Sequence, residues 1–287
     1  MNRLIDTHHH LWDTANTEYP WMTEELDAIR GRFDTDDFLA ASNSTGVTDS
    51  VLVQTRSSFE ESQEFLAVAD DTDIILGVVA WVDLESPDAS NQIAKLKNGK
   101  GGSYLVGIRH QVHDEEDENW LLRDDVQSGL AAINDHRLVY DLLLRPRELP
   151  AAIKAVQKMP EMHWVLDHIA KPEIATGGWE PWAKQIQELA DSSPTCWVKL
   201  SGMVTEADWK DWALADLKPY ADHVIKVFGP DRCMLGSDWP VCLLAAPYHR
   251  VMDAAQNLIA HLTAEQQSAI AAENALVAYR LSHHAKG

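Results

Sequence analysis

Short aliphatic, β-branched runs recur along the whole chain, each ending in polar residues and most followed by a segment of helical spacing. They are RLID (3–6), VTDSVLVQ (47–54), IILGVVAW (74–81), YLVGIRH (104–110), RLVYDLLL (137–144), HWVLDH (163–168), TCWVKLS (195–201) and RCMLGSD (232–238), eight in all. Between them, EESQEFLAVADD (60–71), DDVQSGLAAINDH (124–136), LPAAIKAVQKM (149–159) and WAKQIQELADSS (182–193) read as helices. SPDASNQIAKLKNGKGG (86–102) reads as a helix ending in glycines, and residues 249–283 as two further helices. Strands alternating with helices imply right-handed crossovers and a parallel sheet. Eight such units in 287 residues point to an α/β fold, a closed (β/α)8 barrel of the TIM type, as a single domain over 1–287. An open doubly wound sheet is the alternative. No G-x-G-x-x-G follows a strand, so its nucleotide-binding version loses support.

The connection from Leu11 to about Asp37 is long for a βα loop and carries Trp12, Tyr19, Pro20, Trp21 and Phe33. Long loops in compact domains are lids or binding loops, or their aromatics fill a satellite core. Both readings stay open in the sequence.

The formal net charge of −21 excludes most nucleic-acid partners, which need a positive footprint. It also tilts the expectation towards a neutral substrate, because a polyanion would need a cationic pocket set against that field. Cys196, Cys233 and Cys242 are odd in number and widely spaced, which suits reduced thiols in a cytoplasm. No basic-then-apolar leader opens the sequence, and no apolar run approaches the roughly 18 residues that span a bilayer. A cytoplasmic protein without a membrane partner is expected; oligomeric state is not legible.

In a (β/α)8 barrel the chemistry sits at the C-terminal ends of the strands. There the sequence places His8 and His10, Gln54, Trp81, Arg109 and His110, Asp141, Asp167 and His168, Lys199 and Ser201, and Asp238. Alternation in an extended segment turns His8 and His10 to one side and His9 to the other. Two imidazoles at a barrel mouth can bind a metal, polarise a carbonyl or shuttle protons. Alone, an H-x-H also suits a solvated strand end or a fragment of tag, and Asp238 alone suits a helix cap. Their convergence with His168 on one mouth favours a catalytic reading.

A first-strand H-x-H, a sixth-strand histidine and an eighth-strand aspartate on such a barrel resemble the amidohydrolase superfamily. The motifs IDTHHHLWD, VGIRHQVHDEED, VYDLLLRP, LDHIAKP and LGSDWPVCLLAAPY look like its sugar-lactonase branch, with L-fuconolactonases nearest and L-rhamnonolactonases close by. The resemblance implies hydrolysis of a small sugar (aldono) lactone. It makes Asp238 the general base for the attacking water, and places His8, His10 and His168 around the lactone carbonyl. It assigns Arg109 to the carbonyl or ring oxygens, and His110, Asp141 and Trp81 to contacts with the sugar; Trp12, beside motif residues, is expected there as well because indole faces pack against the apolar face of sugar rings. Trp164, Trp182, Trp209 and Trp212 are expected to pack in the core or loops.

If a divalent metal such as zinc is bound, its ligands would be His8, His10, His168 and Asp238. The strand ends that carry a bridging lysine or glutamate in binuclear members carry Arg109 and Asp141 here. A guanidinium repels a dication and itself stabilises an oxyanion. The expectation is therefore no obligatory cofactor, with a metal bound opportunistically. Two rivals remain: a metal-dependent hydrolase or decarboxylase of the same superfamily acting on an aromatic-pathway lactone or carboxylate, and a barrel that binds a small ligand without turning it over.

Overall fold

The computed structural model describes residues 3–282. All eight strand segments form one parallel sheet in chain order: β1 (Ile5–His9), β2 (Asp49–Val53), β3 (Ile75–Ala80), β4 (Leu105–His110), β5 (Val139–Leu142), β6 (Trp164–Leu166), β7 (Cys196–Leu200) and β8 (Cys233–Leu235). The sheet closes where the end of β1 meets the segment after β8. There His9 bridges Trp239, His10 N donates to Trp239 O at 2.7 Å, and Asp238 N donates to His8 O at 2.9 Å. This is a (β/α)8 barrel.

The expected helices appear as Phe59–Asp71, Ala89–Asn98, Asp124–Asp135, Leu149–Lys158 and Trp182–Ser192. The C-terminal segment gives Tyr248–Ile259, then Ala264–Ser268, a π-helical turn Ala269–Glu273 and Asn274–Ala278; residue 283 lies outside the described residues. Two longer helices and one short one, Met203–Glu206, were not anticipated. Thr35–Ser42 is started by Asp34, whose carboxylate accepts from Asp37 N, and Leu214–Phe228 carries Pro219 in its interior, which hides its periodicity.

Inside the barrel, Ile5, Val51, Val79, Val139, Val165, Trp197 and Met234 pack together. The C-terminal residues Ala272, Ala275, Ala278, Tyr279 and Leu281 join that cluster and plug the end opposite the site. The outward faces of the strands pack on the helices in a second, larger core.

The long first connection is pinned by a two-stranded antiparallel pair, Trp12–Asp13 with Arg32–Phe33. Trp12, Met22 and Ile29 are buried beneath it as a satellite core. Among the described residues no helix is long and apolar enough to cross a membrane, and all three cysteines are buried free thiols.

Candidate active site

The site is built at the C-terminal mouth. Simple alternation from inward-facing Ile5 would turn His9 inward, yet His8 and His10 face in. A register irregularity between Asp6 and His9 supplies the extra step. His9 therefore turns outward, stacks on Phe38 at 3.9 Å and meets Ser50 Oγ at 3.0 Å.

Asp6, within the quoted motif but given no role there, ties β1 to the eighth loop. Its buried carboxylate accepts from His8 N (3.1 Å), Ser237 N (2.9 Å), Ser237 Oγ (2.6 Å) and Tyr248 Oη (3.0 Å). Burial outweighs these donors and raises its pKa. The residue after Ser237, Asp238, sits in the left-handed region at φ 58°. Its Oδ1 lies 3.4 Å from His10 Nε2, 3.7 Å from His168 Nε2 and 3.8 Å from His8 Nε2. After β6 the chain runs through positive φ from His168 to Lys171, a contortion that brings the His168 ring in and Lys171 to the rim.

Beneath lies a buried ionic floor. Arg109 donates to Gln54 Oε1 (2.8 Å) and to Asp167 Oδ2 (3.0 Å), and its Nη1 lies 3.1 Å from His8 Nε2. Lys199, fully buried, contacts Asp141 Oδ2 at 2.6 Å and Asp167 Oδ1 at 2.9 Å. Tyr279 Oη donates to the same Asp141 oxygen at 2.7 Å.

Burial alone would raise the Asp238 carboxyl, but the imidazoles around it, His168 foremost, outweigh this and hold it below the ordinary carboxylate range. Burial pushes His168 down to about 4 and His8 well below the usual histidine value. At neutral pH the site thus presents a carboxylate beside neutral His8 and His168.

His10, His168, Arg109 and Asp238 line the cavity above this floor. The other expected residues do not. His8 is sealed beneath the surface. Asp141 is held by Lys199 and Tyr279 in the floor, so its expected contact with a sugar is not available. Trp81 donates to His110 Nδ1 at 3.1 Å, while His110 Nε2 meets Glu115 at 2.7 Å and its ring stacks on Trp120; both brace the β4 loop instead of lining the cavity. Trp12 donates to Ile29 O and sits in the satellite core behind His10.

Sequence reasoning missed much of the wall. Gln111, His113, Lys171, Glu206 and Trp209 line it, and Trp209 corrects the expectation of simple packing; Trp21, from the long first connection, lines it too, as the binding-loop reading allowed. Arg145, which follows the fifth run, also faces it. His113 stands within the quoted VGIRHQVHDEED. It is neutral, pushed to about 2 by burial and then by the charges of Lys171, Arg145 and Arg109, and its buried Nδ1 has no hydrogen-bond partner among the described residues.

The donor set fits a divalent cation. His10 places Nδ1 2.8 Å from Val53 O, so the proton lies there and the Nε2 lone pair faces Asp238, an arrangement common to metal-binding imidazoles. His8, His10 and Asp238 bring their ligand atoms within 4.8 Å of one another. His168 stands just outside that trio and forms a second one with His8 and Asp167.

A parallel eight-stranded barrel with a histidine–aspartate cluster at its mouth defines a site of the amidohydrolase type. The family model described as Amidohydrolase matches residues 5–281, and the chain belongs to that family. It is 36% identical over 248 residues to an L-fucono-1,5-lactonase of Burkholderia ambifaria, covering 86% of this chain and 84% of that protein. To an L-fucono-1,5-lactonase of Burkholderia multivorans it is 34% identical, covering 96% of each. A crystal structure of an amidohydrolase from Burkholderia multivorans with bound zinc superposes with a TM-score of 0.91 at 33% identity, covering 97% of this chain and 99% of that one.

Proposed function

We propose that this chain hydrolyses a sugar lactone, L-fucono-1,5-lactone or a close aldonolactone, to the aldonic acid. The observation that carries the reading is Asp238: an ionised carboxylate at the cavity floor, ringed by three imidazole nitrogens within 3.8 Å. A water bound to its Oδ1 sits where the lactone carbonyl carbon would enter. Asp238 takes one proton as the water oxygen bonds to that carbon. Arg109 and His168, which line the cavity, donate to the oxyanion that forms, each such donor contributing about 3 kcal/mol. Collapse breaks the ring C–O bond, and the proton held on Asp238 passes to the departing alkoxide.

The wall favours a neutral, polyhydroxylated substrate. Its cations Arg109, Arg145 and Lys171 are matched by Asp114, Glu206 and Asp238. Lys171 lies 3.3 Å from Glu206 and Arg109 3.0 Å from Asp167, so both of these charges are already paired within the protein. His113, Lys171 and Glu206 supply donors and acceptors for hydroxyls, and Trp209 an indole for the apolar side of a ring.

A cation held by His8, His10 and Asp238 would supply Lewis-acid polarisation of the carbonyl or water when bound. The residues named above act in either case. The test is hydrolysis of an aldonolactone panel by wild type and Asp238→Asn, with and without chelator. Turnover of L-fucono-1,5-lactone that drops at least about a hundredfold in the variant is expected, the range of a general base. An Asp238→Asn variant as fast as wild type would refute the assignment. Rate indifferent to chelator identifies the metal-free route.

A further inference from the structure

We propose that the cavity wall is divided into an apolar arc and a polar arc, and that Trp21, anchored on the Thr55 carbonyl, is the specificity-determining residue of the apolar one. It takes the C–H face of the substrate while the hydroxyls point across the cavity. This deepens the lactonase reading above and rests on it.

The division follows the order of the strands. The loops after β7, β8 and β1 are neighbours around the closed barrel, and they contribute Trp209, then Val241 and Leu244, then Trp21 and Leu26. The loops after β4, β5 and β6 stand opposite and contribute His113, Asp114, Arg145 and Lys171. The two arcs interpenetrate at their edges, where Leu143 lies among the polar residues and Glu206 reaches from the β7 loop to pair with Lys171.

The apolar arc originates in the first connection. Trp21, Leu26, Val241 and Leu244 pack against the satellite core of Trp12, Met22 and Ile29, yet are themselves only partly buried. The open edge of that core is therefore the cavity wall. Half-covered apolar side chains gain when a C–H surface displaces water from them.

Trp21 is fixed in place. Its Nε1 donates to Thr55 O at 2.9 Å, and Trp12 stands nearly perpendicular to it, with ring centroids 5.5 Å apart at 74°. Thr55 is fixed in turn. The buried Glu61 carboxylate accepts from Thr55 N at 2.8 Å, from Arg56 N at 3.0 Å and from the Thr55 hydroxyl. Trp209 is tied in the same way, its Nε1 donating to Thr205 O at 2.8 Å. Both indoles thus commit their single donor to the backbone and offer a substrate only ring surface. A hydroxyl turned towards them would be buried without a partner, so the arc selects lactones whose hydroxyls lie on one side.

The experiment measures hydrolysis of L-fucono-1,5-lactone by Trp21→Ala and Trp21→Phe. The alanine variant should raise KM about tenfold or more, the scale of lost apolar contact in a pocket. Its kcat should stay within a few-fold of wild type, because the indole makes no hydrogen bond to the residues around Asp238. Phenylalanine keeps a ring but gives up the anchor, and should fall between. An unchanged KM in Trp21→Ala overturns the proposal. So does a phenylalanine variant as poor as alanine, which would trace the effect to the anchor alone. The bare ring, δ-valerolactone, keeps the C–H faces and carries no hydroxyl. As substrate or competitive inhibitor it should weaken in Trp21→Ala by a similar factor and be unaffected by His113→Ala. Loss in His113→Ala alone, or no interaction with the wild type, overturns the division. A wild type that hydrolyses no lactone sinks the functional reading by itself. The anchor is then read without substrate, as hydrogen exchange across residues 14–30 that is faster in Trp21→Phe than in wild type; equal exchange overturns it.

Discussion

Removing the Asp6 carboxylate should loosen the site from behind. Four donors converge on it: two backbone N–H groups, of His8 and Ser237, and the hydroxyls of Ser237 and Tyr248. In Asp6→Ala the two N–H groups lose their acceptor inside the protein, at about 1–3 kcal/mol each. The Ser237 hydroxyl can turn to His8 O, already 3.3 Å away, and its loss is small. Relief of burying a carboxylate offsets part of the sum, so the net destabilisation should be about 3 kcal/mol. Asp6→Asn is the informative partner: its Oδ1 still accepts from both N–H groups, and its amide meets two hydroxyls that can rotate to accept, so it should lose about 1 kcal/mol. Urea unfolding at constant slope measures both values. Because Ser237 precedes Asp238, the alanine variant should also lose up to about a hundredfold in kcat, the penalty for a base displaced by about an ångström. An alanine variant no less stable than the asparagine variant would refute the claim that these backbone donors depend on Asp6.

Two further outcomes follow from the geometry. With His168 held at about 4, its imidazole stays neutral far below the usual histidine range, so kcat/KM should stay level from pH 7 to about 5 and fall near pH 4, where an imidazolium beside Asp238 weakens the base. Stability should move the same way: the folded value is depressed, so the contribution of neutral His168 is complete above the unfolded value of 6.5 and is lost as pH falls through it towards 4. An acid limb centred near 6.5 would contradict the burial argument. His113→Ala removes a wall imidazole that touches none of the floor, so it should raise KM for a polyhydroxy lactone several-fold, roughly one hydrogen bond, with kcat little changed; an unchanged KM would exclude His113 from substrate binding.

Much of this was legible because the strands carry their own periodicity. Eight aliphatic runs define the barrel, and the residues that end them define its mouth, which is how His10, Arg109, His168 and Asp238 could be named from the chain alone. What escaped has a common physical cause. The inward turn of His8 and His10 was expected from alternation, but the register irregularity that delivers it is announced by no residue type. The rim depends on loop paths: Lys171 arrives through successive left-handed residues, and Trp209 and Glu206 through a turn after β7. Burial was equally hidden. Asp141 and Lys199 share the parity of site residues, but only packing shows that they lie one layer below the cavity, paired with each other.

That buried layer is not explained by stability. Two cations, Arg109 and Lys199, face two carboxylates, Asp141 and Asp167, in a region almost without solvent. Buried pairs of this kind contribute little over a well-packed apolar core, because desolvation offsets most of their attraction. Burial even pushes Asp141 up to about 6, despite the Lys199 ammonium beside it. What the layer does provide is placement. Formal charges cancel within it, so Asp238 is the uncompensated carboxylate next to the imidazoles. Arg109 and Lys199 contact the two ring nitrogens of His8 at 3.1 and 3.2 Å, and Gln54 and Asp167 fix the guanidinium that the substrate would meet. Tyr279 ties the same layer to the C-terminal segment that plugs the barrel from below. The geometry of the mouth is therefore set by a stack running the depth of the barrel.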